Sequence, residues 1–223
     1  MWIGARKLLL ILFLTTMPAL AISEPELAKD APGDELDARV EEFLATHDWG
    51  RGDMIVPAVD GQSLYDIILE NKYTRALEIG TSTGHSAIWM AWALSKTGGK
   101  LITIDIDERR HREALENFEA VGLTEFIDAR LGDAHEIVPS LAGPFDFVFS
   151  DADKDWYKNY LIALLPKLEV GGCYTSHNVS VGRRGRRGSR QSEYVEYLLN
   201  IPNLETTFDI RGAGLSISYK KSE

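Results

Sequence analysis

From Arg75 onward the sequence alternates, with little slack, between short β-rich apolar runs and segments of helical period. The runs are "RALEIG", "KLITIDID", "FIDARLGD", "FDFVFSD" and "GGCYTSHN", most of them ending in Gly, Asp or Asn. Between them lie "HSAIWMAWALSKT", "ERRHREALENFEAVG", "AHEIVPSLA" and "KNYLIALLPKLEV". This order predicts an α/β fold of βαβ units, its sheet mostly parallel and covered by helices on both faces. The tail breaks the alternation. After helical "SEYVEYLLN", the runs "LETTFDI" and "GLSISYKK" flank "RGAG" and read as a hairpin. In open sheets of this kind ligands bind beyond the carboxyl ends of the strands. The polar residues that close each strand are therefore expected around one crevice.

With 223 residues, 44% of them hydrophobic, the chain can bury one ordinary globular core. A formal net charge of -10 disfavours nucleic acid as a partner. Cys173 is the only cysteine, which excludes a disulfide framework and a cysteine metal site, and it reads as a small buried hydrophobe. At the N-terminus Arg6 and Lys7 precede an apolar run from Leu8 and then Ala19-Leu20-Ala21. Residues 1–21 thus read as a secretory signal cleaved after Ala21, with an uncleaved membrane anchor as the alternative. Export or membrane tethering follows, and a cytoplasmic protein if the signal reading fails. Residues 22–48 form a linker and the amphipathic helix "ELDARVEEFLATHD", and residues 49–223 the main domain.

"ALEIGTSTGHSAI" is a strand, a glycine turn and the start of a helix. Counted from Gly80, the dinucleotide fingerprint G-x-G-x-x-G fails, because Ser82 and His85 stand where glycines belong. NAD and FAD are disfavoured. What fits is an acid followed by G-x-x-x-G, namely Glu78, Gly80 and Gly84, a tight turn suited to a cofactor with a cationic amino acid at one end. Asp105, closing the next strand, can accept both hydroxyls of a ribose. Asp133 and Ala134 close the third, where an adenine would lie. Each acid alone could be a solvated strand cap, and the glycines plain turn chemistry. The three in order are far more specific.

These pieces, with "MIVPAVDGQSLYDIIL", "SDADKDWY" and "HNV", resemble the class I S-adenosylmethionine-dependent methyltransferases from about Trp49 to the C-terminus. More narrowly the chain is similar to the cation-dependent O-methyltransferases, the group of catechol and caffeoyl-CoA O-methyltransferases. The resemblance implies a Rossmann-like methyltransferase fold with a seven-stranded sheet. It implies that Val56, Glu78, Gly80, Thr81, Ser86, Asp105, Ala134 and Asp151 line S-adenosylmethionine, Glu78 at the methionyl end and Asp105 at the ribose. It also implies a divalent cation, Mg²⁺ or Mn²⁺, on Asp151 and the pair at 177–178, with Lys154 as general base. Members of the group are often dimers.

One position departs from that pattern. His177 stands where the resembled enzymes have a carboxylate, beside Asn178. Three readings remain open: a metal ligand with altered metal preference, a metal-free general base, or a structural histidine in a site that has lost its cation. Elsewhere, His85 reads as cofactor-side packing, His111 as part of a solvated helix, and His47 and His135 as surface or cap positions. Trp156 reads as core or as a wall of an aromatic-substrate pocket. "VGRRGRRGSRQ" carries Arg183, Arg184, Arg186, Arg187 and Arg190, and reads as a solvated loop or a site for an anionic partner, whether acceptor or membrane surface.

The expected function is O-methyl transfer to a small, aromatic diol acceptor. Its rivals are a metal-independent methyltransferase with His177 as base, and a non-catalytic module binding anionic ligands through the arginine loop. Export sits uneasily with a cytoplasmic cofactor.

Overall fold

The apolar runs pair as strands. The computed structural model describes residues 32–50, 54–179 and 188–223. In it β1 (Arg75–Ile79), β2 (Lys100–Asp105), β3 (Ile127–Leu131), β4 (Phe145–Ser150) and β5 (Leu168–His177) lie parallel to one another. β6 (Leu204–Asp209) and β7 (Leu215–Lys220) form the expected hairpin, and β7 runs antiparallel to β5. The sheet order is β3-β2-β1-β4-β5-β7-β6. Because β2 and β4 flank β1 on opposite sides, the chain switches direction there, and a crevice opens beyond the carboxyl ends of β1 and β4.

Seven helices among the described residues cover the sheet: α1 (Pro32–Thr46), α2 (Ala58–Asn71), α3 (His85–Thr97), α4 (Glu108–Val121), α5 (Ala134–Ser140), α6 (Tyr157–Leu164) and α7 (Gly188–Leu199). Successive strand residues point to opposite faces. Ala76, Phe147 and Phe149 therefore join one core with α1 to α4, while Leu77, Ile79 and Val148 join a second with α5 to α7. α3 is buried from His85 to Leu94, as its apolar circumference requires. Asp37 ties α1 to it, accepting hydrogen bonds from Trp92 Nε1 at 2.6 Å and Lys96 Nζ at 2.5 Å.

Two elements depart from the sequence reading. "KNYLIALLPKLEV" does not stay helical to its end, because Pro166 supplies no amide hydrogen, and a 3-10 turn over Leu165–Lys167 follows α6. Leu168, Glu169 and Val170 already belong to β5. "AVDGQSLYDIILEN", identified above only as part of a family motif, is a helix, α2. It seats Leu64, Ile67 and Ile68 in the first core, each worth roughly 1.5–3 kcal/mol of burial. Gly61 lets it lie against α3, since a Cβ there would run into the Trp89 ring.

The signal segment lies outside the described residues, as do Arg183, Arg184, Arg186 and Arg187; of Arg190 only the backbone is described. Among the described residues no helix is long and apolar enough to cross a membrane.

Candidate active site

A cavity of about 690 Å³ occupies the crevice at the switch point. Gly80, Ser82, Asp105, Asp133 and Ala134 line one half, and Asp151, Lys154, His177 and Asn178 the other. Gly80 is required where it stands. Its φ is +103°, and a Cβ would sit 2.7 Å from the Asp151 carbonyl oxygen. That approach brings the turn after β1 against the end of β4. Asp105 is aimed by two backbone amides, Oδ2 accepting from Ser82 N at 2.7 Å and Oδ1 from Asp107 N at 2.8 Å. Lone pairs remain on both oxygens for a ligand. Asp133 accepts from His135 N at 2.8 Å and caps α5, which leaves Ala134 at the cavity wall.

Four residues assigned to the cofactor by resemblance are not brought to the cavity wall: Val56, Glu78, Thr81 and Ser86 are buried behind it. Glu78 follows Ala76 on the face of β1 that lies under α3. Its oxygens accept from Ser86 Oγ and Thr103 Oγ1, both at 2.5 Å, and Thr103 in turn contacts Thr81. The carboxyl group thus braces the glycine turn through Ser86, Thr103 and Thr81. Burial pushes its pKa up to about 8, against the lowering effect of the two hydroxyls, and the nearby Asp151 and Asp105 charges add to the rise.

At the other end the side chains form a row. Asp60 Oδ2 lies 2.9 Å from His177 Nε2, and Asp151 Oδ2 lies 2.8 Å from His177 Nδ1. Lys154 Nζ donates to Asp151 Oδ1 at 2.5 Å and to the Tyr157 hydroxyl at 2.8 Å. Tyr157 donates to the His177 carbonyl at 3.1 Å, fixing the end of β5. Asp60 has no exposed surface; its Oδ2 also accepts from Ala213 N at 2.8 Å, an approach open because Gly212 lies against the carboxyl group. Burial lowers the His177 pKa, but the hydrogen bonds and charges of Asp151 and then Asp60 outweigh it and leave it raised. Burial likewise raises Asp151, and His177 and Lys154 more than reverse this. Asn178, at φ 56°, turns the chain out of β5 in a left-handed conformation that asparagine tolerates.

This donor set does not fit the expected cation. A metal needs a ring nitrogen lone pair, and both His177 nitrogens face carboxylates. Asp60 and Asp151 flank the ring rather than converging on a common point. Among the described residues no cluster of three or more His, Cys, Asp or Glu side chains could hold a metal ion. The Asp151, His177 and Asn178 set is brought together, but not as ligands around an ion.

The sequence reading missed three residues. Asp60 stood in "PAVDGQ", whose acid beside a helix start was the available signal. Tyr157 gave none beyond its place in "SDADKDWY". His135 is no mere cap: it lines the cavity and stacks on Trp156 with centroids 3.7 Å apart. His85 is buried and packs edge-on to Trp49 at 4.8 Å, and burial lowers its pKa to about 4. Cys173 is buried, as expected.

The family model described as O-methyltransferase matches residues 33–202. A catechol O-methyltransferase of Niastella koreensis is 42% identical over 107 residues, 46% of this chain and 48% of that protein. A caffeoyl-CoA O-methyltransferase of Zea mays is 34% identical over 155 residues, 67% of this chain and 55% of its own. The chain spans about half the length of these curated relatives. The solved O-methyltransferase from Bacillus cereus in complex with SAH gives a TM-score of 0.65 at 23% identity, over 88% of this chain and 94% of that one. TomG from Streptomyces achromogenes, in complex with SAM, gives 0.69 at 22%, over 88% and 93%. At such identities the structural likeness shows the fold alone.

Proposed function

This chain belongs to the O-methyltransferase family, and from that premise we propose that it transfers the methyl group of S-adenosylmethionine to a hydroxyl of a small aromatic diol. The observation that carries the proposal is the single cavity with two unlike ends, an amide-oriented acid at Asp105 and a lysine-bearing charged row at Lys154. The ribose would bind at Asp105 and the adenine beside Ala134, which leaves the sulfonium methyl pointing toward the far end. Relatives named for catechol and caffeoyl-CoA support the acceptor class.

The chemistry is an in-line displacement: the acceptor O–CH₃ bond forms as the S–CH₃ bond breaks, and the hydroxyl proton must leave. Lys154 Nζ is the group placed to take that proton. Asp151 and Tyr157 hold it in position at the cavity. The donor loses its positive charge as the acceptor loses a proton, so positive groups beside the acceptor oxygen favour the transition state. The test is methyl transfer from labelled S-adenosylmethionine to catechol by the wild-type protein and Lys154→Met. The proposal requires turnover in the first and its loss in the second, with S-adenosylmethionine binding retained in both. Binding without turnover of any diol would refute it.

A further inference from the structure

The disagreement between the charged row and the expected metal site has a use of its own, one that rests on the methyltransferase reading just given. A neutral imidazole carries one N–H, whereas ionised carboxylates only accept. Both ring nitrogens of His177 lie within hydrogen-bond distance of carboxylate oxygens. With the ring protonated both contacts are made by N–H donors, and no lone pair is left for a metal. The protonated ring then faces the Asp60 and Asp151 carboxylates with one positive charge of its own. A carboxylate at 177 would place a negative charge at the same point. The two differ by two charges, the charge of one divalent cation. The exchange at a single position therefore supplies from the protein the charge that a divalent cation would otherwise bring.

We propose that His177, clamped between Asp60 and Asp151, supplies the positive charge that a divalent cation supplies in the resembled enzymes, and that methyl transfer here is independent of metal. The buried Asp60 is the positioning residue of this arrangement. It holds Nε2, while Ala213 N and the close approach of Gly212 fix its own carboxylate. His177 is the charged wall of the cavity beside the acceptor position. The assignment differs from a general-base role, because a ring donating through both nitrogens has no place for the acceptor's proton, which falls to Lys154.

The test is Mn²⁺ uptake by the full protein, followed by electron paramagnetic resonance of the free ion, in wild type, Asp151→Asn and His177→Asp. Wild type is expected to take up no Mn²⁺ that Asp151→Asn abolishes, and its turnover is expected to be unchanged by EDTA. His177→Asp is expected to gain a site, tightening Mn²⁺ binding by at least about tenfold, and to become chelator-sensitive. Stoichiometric uptake by wild type that disappears in Asp151→Asn overturns the proposal. So does a folded His177→Asp protein that binds S-adenosylmethionine yet gains no Mn²⁺. If His177→Asp does not fold, the wild-type and Asp151→Asn titrations decide alone. Failure of the methyltransferase reading would show separately, as absence of S-adenosylmethionine binding whatever Mn²⁺ does.

Discussion

Glu78 is a buried acid without a cation, and its consequence for stability can be worked out. An acid whose pKa rises on folding binds its proton more tightly in the folded chain. The protein is then most stable where the acid is protonated in both states, and stability falls as pH climbs. The window runs from the usual 4.5 up to about 8. Within it this group alone should cost about 1.4 kcal/mol per pH unit. The whole gap, from 4.5 to about 8, has a ceiling of roughly 5 kcal/mol, of which about 3 kcal/mol is already incurred at pH 7. Glu78→Gln keeps the shape and can bond to both the Ser86 and Thr103 hydroxyls, but it does not titrate. Urea unfolding of both proteins at steps from about pH 5 to about pH 8 isolates the effect as the difference between the two curves. Wild type should lose ground steadily to the variant across that range and level off above it. Parallel curves, or a wild type that gains on the variant with rising pH, would refute the burial reasoning.

The other perturbations act on the cavity. Gly80→Ala forces a Cβ onto the Asp151 carbonyl in a left-handed conformation; it should cost at least about 1–2 kcal/mol of stability and weaken S-adenosylmethionine binding, as thermal melts and calorimetry would show. Asp105→Asn removes the charge that would accept the ribose hydroxyls, a loss of about 1.5–3 kcal/mol in cofactor affinity, or roughly ten- to a hundredfold in Kd, and gives up one of the two amide hydrogen bonds that aim the side chain, a further loss of about 1 kcal/mol of stability. Asp60→Ala strips one partner from a buried ion pair and should destabilise the fold by about 3–5 kcal/mol, measurable by denaturant unfolding; a change below ~1 kcal/mol would mean the Asp60–His177 contact contributes little.

Much of the scaffold was legible because burial writes itself into sequence as period. The strand runs from "RALEIG" to "FDFVFSD" and helices α3 to α5 lie where the alternation puts them, and Asp105 and Ala134 border the crevice as strand ends should. What was not legible is long-range or depends on facing. Asp60 meets His177 across 117 positions, and nothing local in "PAVDGQ" announces that partner. The Ser86 and Thr103 partners of Glu78 were not legible either, because a strand's period says which residues share a face, but not what that face packs against. His177 was recognised as a departure, while its consequence needed the two carboxylates around it. "LEV" was read as helix because Leu168 continues an apolar spacing, until Pro166 breaks it.

The most direct test of the central claim is a calorimetric titration of the protein with S-adenosylmethionine in the presence of EDTA, with Asp105→Asn beside it. The account predicts saturable binding at one site per chain, undiminished by the chelator and clearly weakened by the substitution. An absence of binding, or binding indifferent to Asp105, would contradict it.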